Sequence, residues 1–223
     1  MSSIWHITGL TVGLAFVATL VMVPPGVLLA WLLVRRQFPG KALVETLTML
    51  PLVMPPVATG LILLKLMGRR GPIGRFLSSA GIEVLFTWKA VVVAMAVMGL
   101  PLVVRAARAG FEQVDRRFED IAATLGAGPA RVFLTVSLPL ALPAVVAGAV
   151  LGFSRAVGEF GATVMIAGSL PGATRTLAVA IYTFTETGQD RDAALLLGVS
   201  VAIAFAALWA ANRIGSTPVN SRR

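Results

Sequence analysis

The hydrophobic residues of this 223-residue chain are grouped in long blocks that contain almost no charged side chains. A bilayer core about 30 Å thick is crossed by roughly 20 apolar helical residues, so blocks of this length indicate membrane-spanning helices. Open strands are excluded because in lipid they would leave backbone N–H and C=O groups without hydrogen bonds. The pattern predicts five spans, which lie near 8–34, 46–66, 85–104, 138–157 and 193–213.

Composition supports a membrane protein. Hydrophobic residues make up 57% of the chain and charged residues 13%, against about 25% charged residues in an average soluble domain. The net charge of +9 would suit a nucleic-acid-binding protein, but such a protein would not be this apolar, so no nucleic-acid partner is expected. The sequence therefore predicts an all-α integral membrane protein, in contact with the lipid bilayer, with one transmembrane domain over 8–213.

Residues that carry most enzyme and metal chemistry are scarce. The chain has no cysteine and one histidine, His6, which excludes disulfides, thiolate sites and histidine clusters. The predicted spans contain no paired carboxylates or histidine motif of the kind that an intramembrane enzyme would need. The chain also contains no G-x-x-x-x-G-K-[ST] phosphate loop, so it lacks this device for binding ATP. We predict a chain that is not an enzyme, with no catalytic residue, no metal site and no cofactor of its own.

The distribution of Lys and Arg selects an orientation in the membrane. Five spans place the two termini on opposite sides, and of the 19 basic residues eleven fall on one side and eight on the other. The richer side includes the connection at 105–137 and the tail at 214–223, and it is predicted to be cytoplasmic. Residues 1–7 are then predicted to be external.

Prolines recur inside the predicted spans. They are Pro24, Pro25, Pro51, Pro55, Pro56, Pro101, Pro139 and Pro143. In a helix bundle such prolines are tolerated because neighbouring helices or water can satisfy the freed carbonyl groups. The sequence leaves two interpretations open, which are hinges along a lined pathway and ordinary helix kinks.

The connection at 105–137 carries charges of both signs and is predicted to lie outside the membrane. Within it, Phe118, Ile121, Ala122 and Leu125 recur at helical spacing, and Gly126 follows them as a helix-ending residue. This pattern predicts a short amphipathic helix along the membrane surface. Its apolar face could rest on lipid as part of a simple connector, or it could dock onto another protein, and periodicity alone favours the connector.

The spacing of residues in this connection resembles the signature Glu-Ala-Ala-x3-Gly-x9-Ile-x-Leu-Pro of type I ABC importer permeases. Each anchor of the signature is matched in position, and the glycine and the leucine-proline pair are also matched in type. Asp120, Ile121 and Val136 replace the glutamate, the first alanine and the isoleucine. The connection also lies between the third and fourth of five spans, as the signature does in that family.

In that family the connection forms a coupling helix that docks into a groove of the cytoplasmic ATPase subunit. The resemblance implies that the ATPase-coupling residues of this chain are Asp120, Ile121, Ala122, Leu125, Gly126, Leu138 and Pro139. It also implies a homodimer that lines one translocation path, two copies of the ATPase subunit, and an extracytoplasmic oxyanion-binding protein. Gly126 is expected to permit a tight turn that a side chain would obstruct.

Longer segments look like the molybdate permease subunits of bacterial ABC transporters. They are WLLVRRQFPGKAL at 31–43, LPLVMPPVATG at 50–60, MGRRGPIG at 67–74, TLGAGPARVF at 124–133 and FSRAVGEFGATV at 153–164. This resemblance implies import of molybdate across the bacterial inner (cytoplasmic) membrane. Tungstate, sulfate and thiosulfate stay open as substrates of the same architecture. A secondary anion carrier is the alternative from another class, although five spans do not divide into the matched halves typical of such carriers.

Two groups of charges lie on the side predicted to be external. Arg69 and Arg70 could attract an anion or a binding protein, or they could anchor the chain at the membrane interface. Arg155 and Glu159 are four residues apart at the predicted outer end of the fourth span, so they share a helix face and could form an ion pair. Such a pair could belong to a gate or could be structural.

Overall fold

A computed structural model describes residues 2–215, and the regular elements within that range are all helical. The helices are α1 (Ser2–Arg35), α2 (Lys41–Val53), α3 (Pro56–Met67), α4 (Pro72–Ser79), α5 (Trp88–Gln113), α6 (Arg116–Thr124), α7 (Pro129–Val132), α8 (Leu138–Val157), α9 (Gly161–Ala167), α10 (Leu177–Glu186) and α11 (Asp190–Gly215). A π-helical turn, Phe133–Ser137, joins α7 to α8. Of the tail predicted at 214–223, residues from 216 onward lie outside the described part of the chain.

Four helical runs of the described chain are long and apolar enough to cross a membrane. They are Ile4–Arg35 in α1, Trp88–Gln113 (α5), the continuous run Pro129–Val157, and Asp190–Ala210 in α11. The bent pair of α2 and α3 gives a fifth when the two helices are taken together as one broken span. The fold is therefore that of an all-helical integral membrane protein. Helix α1 already includes residues 2–7, which were predicted as an external terminus.

The span predicted near 46–66 is divided into α2 and α3, which are bent by 117° at the break. Met54 separates them with an extended backbone, φ −70° and ψ 148°, because the proline that follows it disfavours the helical conformation. Pro55 and Pro56 have no N–H group, so proline can begin α3 but cannot continue the hydrogen-bond ladder of α2. By contrast, the prolines inside α1 and α5 lie within continuous helices.

Helix α5 lies at the centre of the bundle and contacts both α1 and α8 along much of its length. In its most apolar stretch 61% of the residues are buried, against 11% in α11. One buried cluster includes Met22 and Met95, and a second includes Leu33 and Phe111. The sides of α8 and α5 that carry small residues face each other. Helix α11 leaves most of its surface uncovered by this chain.

Two short helices, α9 and α10, occupy part of the segment between 158 and 192, which the sequence pattern left as a connection. Helix α9 packs against α3 and α5, and Ile166 within it is fully buried. Helix α10 is fixed to α1 by a hydrogen bond of 2.8 Å, in which the backbone N–H of Leu177 donates to Oγ1 of Thr11. Neither helix reaches the length of a span, so a search for long uncharged blocks does not predict them.

The predicted connection at 105–137 is almost entirely helical. Helix α5 extends to Gln113, and α6 begins at Arg116. A short non-helical stretch after Thr124 leads into α7, the π-helical turn and α8, which form the continuous run Pro129–Val157. The C-terminal end of α1, the whole of α6 and the start of this run are joined by hydrogen bonds, and we call this region the α6 end of the bundle.

Candidate functional site

Both ends of α6 are fixed by local hydrogen bonds. At its start, the side chain of Asp115 accepts a hydrogen bond of 2.9 Å from the backbone N–H of Arg117, as an N-cap residue does. At its end, the N–H groups of Gly126 and Ala127 donate to the carbonyl groups of Ala123 and Ala122, each at 3.0 Å. This pair of bonds is a Schellman motif, in which the residue after the cap has a left-handed backbone conformation.

Gly126 is the left-handed residue of this motif, with φ +84°. Glycine adopts this conformation without the steric cost that a Cβ atom imposes, so most other residues at 126 would be strained. A Cβ atom built here would have no other atom of the described chain within 4 Å. The requirement for glycine therefore comes from the backbone angle of this turn and not from contact with neighbouring side chains.

Helix α6 presents an apolar face that the described residues leave uncovered. Phe118, Ile121 and Leu125 share this face, and Leu125 is 83% exposed. Asp120 is also exposed and forms no ion pair with any described residue, while Ala122 is half-buried. Because no residue of α6 is buried, most of this helix is available for contact with another molecule.

Glu119 attaches α6 to the rest of the bundle. Its Oε1 atom accepts hydrogen bonds from Nε of Arg35, at 2.9 Å, and from Oγ of Ser137, at 2.7 Å. Nη2 of Arg35 lies 2.9 Å from the same oxygen and also donates to the carbonyl group of Val114, at 3.0 Å. The side chains of Arg35 and Glu119 are 9% and 16% exposed. We call Arg35, Glu119 and Ser137 the clasp.

The clasp lies next to the second half of the predicted motif. Leu138, which follows Ser137, packs against the buried cluster around Phe111. Pro139 has no N–H group, so the ordinary helical bond to the carbonyl group four residues earlier cannot form. The π-helical turn widens the helix just before this proline, and the N–H of Leu138 bonds to the carbonyl group of Phe133, five residues earlier. The two halves of the motif, 120–126 and 138–139, therefore meet at the α6 end.

Arg155 and Glu159 form an ion pair where α8 ends and α9 begins. Nη1 of Arg155 lies 2.6 Å from Oε2 of Glu159. Oε1 of Glu159 accepts a hydrogen bond of 2.8 Å from the backbone N–H of Ala162, near the start of α9. Glu159 is only 1% exposed, whereas 25% of the Arg155 side chain is exposed. The carboxylate therefore holds two helices in a fixed relation, and part of the Arg155 side chain stays accessible.

Arg155 lies two residues before the end of α8, the last helix of the fourth candidate span. Three residues before Arg155, Gly152 packs against Met22 in the middle part of α1. Further along the chain, the carbonyl group of Ile166 accepts a hydrogen bond from the backbone N–H of Phe86, just before α5 begins. The ion pair lies between these two contacts along the chain. Helix α9, which the predicted span did not include, continues the fold beyond α8.

Arg69 and Arg70 lie in the connection between α3 and α4. Nη2 of Arg69 is 3.0 Å from Oε1 of Glu83, and both side chains are strongly exposed. The carbonyl group of Arg70 accepts two hydrogen bonds from the guanidinium group of Arg75. No contact between described residues joins this group to Arg155, so the structure does not bring the predicted anion-attracting arginines and the Arg155–Glu159 pair into one site.

Sequence reasoning missed the clasp, although its residues surround the predicted motif. Arg35 and Glu119 are separated by 84 residues, so no local spacing indicates that they meet. Ser137 occupies an unspecified position of the signature. The remaining signal is that Arg35 is the first Lys, Arg, Asp or Glu in the chain and directly follows the first predicted span. Among the described residues, no group of three or more His, Cys, Asp or Glu side chains could hold a metal ion.

The fold matches that of solved transporter complexes. The crystal structure of a bacterial alginate ABC transporter in complex with an alginate pentasaccharide-bound periplasmic protein contains a similar chain, with a TM-score of 0.70 and 16% identity. The match covers 98% of this chain and 82% of that chain. Long apolar helices around α5, together with an exposed α6, therefore have the fold of type I ABC importer permeases.

Residues 7–214 match the family described as the inner membrane component of binding-protein-dependent transport systems, and the chain belongs to this family. It is 48% identical over 206 residues to the molybdenum transport system permease protein ModB of Escherichia coli (strain K12), covering 92% of this chain and 90% of that protein. It is 36% identical over 202 residues to the sulfate transport system permease protein CysT of Salmonella typhimurium (strain LT2), covering 91% and 73%. The chain is a multi-pass membrane protein and a permease component of a bacterial ABC importer.

Proposed function

We propose that this chain is the permease subunit of an ATP-driven importer and forms the membrane pathway for molybdate. Molybdate is proposed as the substrate because the chain is 48% identical to a molybdenum permease over 92% of its length. Sulfate is the second candidate, because a sulfate permease is 36% identical over a similar share of the chain. Molybdate and sulfate are both tetrahedral, doubly charged oxyanions, so one pathway chemistry suits either.

The exposed face of α6 is the proposed contact with a cytoplasmic ATPase subunit. Phe118, Ile121 and Leu125 supply an apolar surface, and Asp120, which pairs with no described residue, supplies a charge beside it. The chain has no phosphate loop, so ATP hydrolysis belongs to the partner, and this chain needs no cofactor of its own. Two ATPase copies would serve a homodimer of this chain, and an extracytoplasmic protein would deliver the oxyanion.

Arg155 is the proposed pathway residue. A charged side chain within a membrane protein is costly unless it faces the bundle interior, water or a partner charge. Glu159 is such a partner, and it holds the guanidinium group in place while 25% of the Arg155 side chain stays exposed. A fixed cation of this kind would attract a divalent oxyanion that enters between two copies of the chain.

We propose that the protein lies in the cytoplasmic membrane with its N-terminus outside and its C-terminus in the cytoplasm. The basis is the excess of Lys and Arg at the α6 end, which includes Arg35, Arg36, Arg116 and Arg117. Fusions of alkaline phosphatase and of a fluorescent reporter after Arg213 test this orientation. Fluorescence without phosphatase activity supports it, and phosphatase activity at that position contradicts it.

Transport by the reconstituted complex tests the function. The permease, its ATPase subunit and its binding protein are placed in liposomes, and uptake of radiolabelled molybdate is measured with and without ATP. We expect ATP-dependent uptake that excess tungstate reduces by competition and that excess sulfate leaves nearly unchanged. Uptake of sulfate in place of molybdate would favour the second candidate. Uptake by the permease alone, driven by an ion gradient, would identify a secondary carrier.

A further inference from the structure

We infer that Glu119 is a positioning residue that transmits movement of α6 to the ends of two membrane spans through Arg35 and Ser137. The inference rests on the proposed function, because it assigns a role in coupling ATP hydrolysis to transport. It concerns the clasp, which lies outside the seven motif residues predicted to contact the ATPase. The geometry around a single carboxylate oxygen carries it.

One oxygen of Glu119 joins three separate elements. Oε1 accepts from Arg35 at the last residue of α1 and from Ser137 at the end of the π-helical turn, while Glu119 itself belongs to α6. Arg35 adds a bond to the carbonyl group of Val114, the cap residue that follows α5. A displacement of α6 must therefore move the ends of α1 and α8 with it or break charge-assisted hydrogen bonds, which are stronger than neutral ones.

The neighbouring carboxylate has a different environment. Asp120 is exposed and forms no ion pair with any described residue, so it is free to meet a partner subunit. Glu119 is 16% exposed and is already engaged within the chain. The two adjacent acidic residues therefore have different roles. Asp120 lies on the outward surface of α6, and Glu119 links α6 to the bundle.

Apart from the clasp, few contacts hold α6 against α1: the guanidinium group of Arg116 donates one long hydrogen bond, of 3.5 Å, to the carbonyl group of Val34. No residue of α6 is buried, so hydrophobic packing contributes little to holding the helix in place. An open cavity of about 330 Å³ lies beside the clasp. It is lined by Trp31 of α1, by Arg36 just after α1 and by Ala123 of α6. Because this space is not filled by side chains, α6 can shift relative to α1 once the clasp is lost.

The first experiment measures coupling in the complete transporter. Proteoliposomes with permease, ATPase and binding protein are assayed for molybdate uptake and ATP hydrolysis, comparing wild type with Glu119→Gln, Ser137→Ala and the control Glu112→Gln. Glu112 also carries an ion pair, with Arg108, but it is exposed on α5 and lies outside the clasp. We expect Glu119→Gln to raise the ATP consumed per molybdate about tenfold, the factor that corresponds to about 1.4 kcal/mol. Ser137→Ala should give a smaller rise, and Glu112→Gln should match wild type.

This ratio separates coupling from a merely structural role. A variant that only folds less well loses uptake and ATP hydrolysis together, and its ratio stays at the wild-type value. An unchanged ratio in Glu119→Gln, with normal uptake or with both rates lowered in proportion, would overturn the inference. If wild type hydrolyses ATP without importing molybdate, the proposed function fails, and the link is then decided by the second experiment.

The second experiment measures the link in the purified full-length permease. The chain has no cysteine, so Arg36→Cys and Thr124→Cys place two spin labels on exposed positions beyond α1 and at the end of α6 without removing native thiols. We expect one narrow distance distribution in the otherwise wild-type chain and a broad one when Glu119→Gln is added. The same distribution with and without Glu119→Gln would show that the clasp does not hold α6, and it would reject the inference whatever the transported ion.

Discussion

Gly60 of α3 lies directly against the backbone of Ala162 of α9. A Cβ atom on Gly60 would be 2.8 Å from Cα of Ala162, closer than two carbon atoms can approach without a shift of one helix. Both residues are buried, and each belongs to a helix that begins just after a non-helical interruption. The two interrupted segments of the fold are therefore fitted together by their backbones.

We expect Gly60→Ala to destabilise the protein, because the added methyl group meets backbone atoms that cannot move independently. Overpacking of this kind typically costs about 1–3 kcal/mol. The measurement is the thermal unfolding midpoint of the detergent-solubilised permease. Gly13→Ala in α1 is the matched control, since a Cβ atom there has no neighbour within 4 Å in the described chain. Equal midpoints for the two variants would show that α3 and α9 are not closely packed.

Gly126→Val should abolish most transport while the protein still reaches the membrane. The left-handed angle of Gly126 disfavours any residue with a Cβ atom, at a cost of about 1–2 kcal/mol. Asparagine tolerates this conformation better, so Gly126→Asn should keep more uptake than Gly126→Val. Gly128→Ala is the matched control, because Gly128 has an ordinary φ of −69° and open space around its Cβ position. Normal ATP-driven uptake by Gly126→Val would contradict the assigned role of this turn.

Replacing one partner of the Arg155–Glu159 pair should have unequal effects. Arg155→Met leaves a buried carboxylate without its cation, and breaking a buried pair in this way costs about 3–5 kcal/mol. Glu159→Gln is expected to be milder, since the amide oxygen can still accept from Ala162 and the partly exposed Arg155 can be solvated. Thermal unfolding midpoints of the two variants test this order, and the midpoint of Arg155→Met should be the lower one.

The double variant Arg155→Met/Glu159→Gln provides the control for that order. Removal of both charges should restore part of the stability lost in Arg155→Met, because no unpaired carboxylate is then buried. Molybdate uptake should stay low, since the proposed pathway cation is absent. Full uptake by a stable double variant would exclude Arg155 from the pathway.

The exposed pair of Arg69 and Glu83 predicts opposite effects on docking of the binding protein. Joint neutralisation by Arg69→Gln and Arg70→Gln should weaken docking at low salt, and Glu83→Gln should strengthen it, because the local positive charge falls in one case and rises in the other. Both effects should fade near physiological ionic strength, where the screening length is about 8 Å. Binding titrations at two salt concentrations measure this. Affinities that do not respond to either change would leave these arginines as interface anchors.

Long-range contacts mark the limit of prediction from this sequence. The uncharged block before Arg155 predicts a helix because a bilayer demands about 20 apolar residues, and the same length rule cannot predict α9 or α10, which are too short to span. Gly126 was identifiable because helix endings have local chemistry. The bond between Arg35 and Glu119 was not, since nothing in either neighbourhood specifies a partner 84 residues away.

The break between α2 and α3 was only partly predictable. Pro55 and Pro56 indicate that something interrupts the apolar block, but two prolines inside α1 do not interrupt that helix. What differs is the tertiary setting, because α3 packs against the buried start of α9 once it has turned away from α2. The direction of a chain after proline therefore depends on which surfaces are available to receive it.

Because α5 is far more buried than α11, the two helices should differ in how well they tolerate substitutions. Side chains of α5 meet other side chains almost everywhere, so a change in shape there disturbs several neighbours at once. Lipid chains adapt to any apolar outline, so α11 should tolerate exchanges among leucine, valine, isoleucine and phenylalanine wherever it faces lipid. A strip of α11 that resisted such exchanges in a saturation mutagenesis library would mark the place where a second copy of the chain fits.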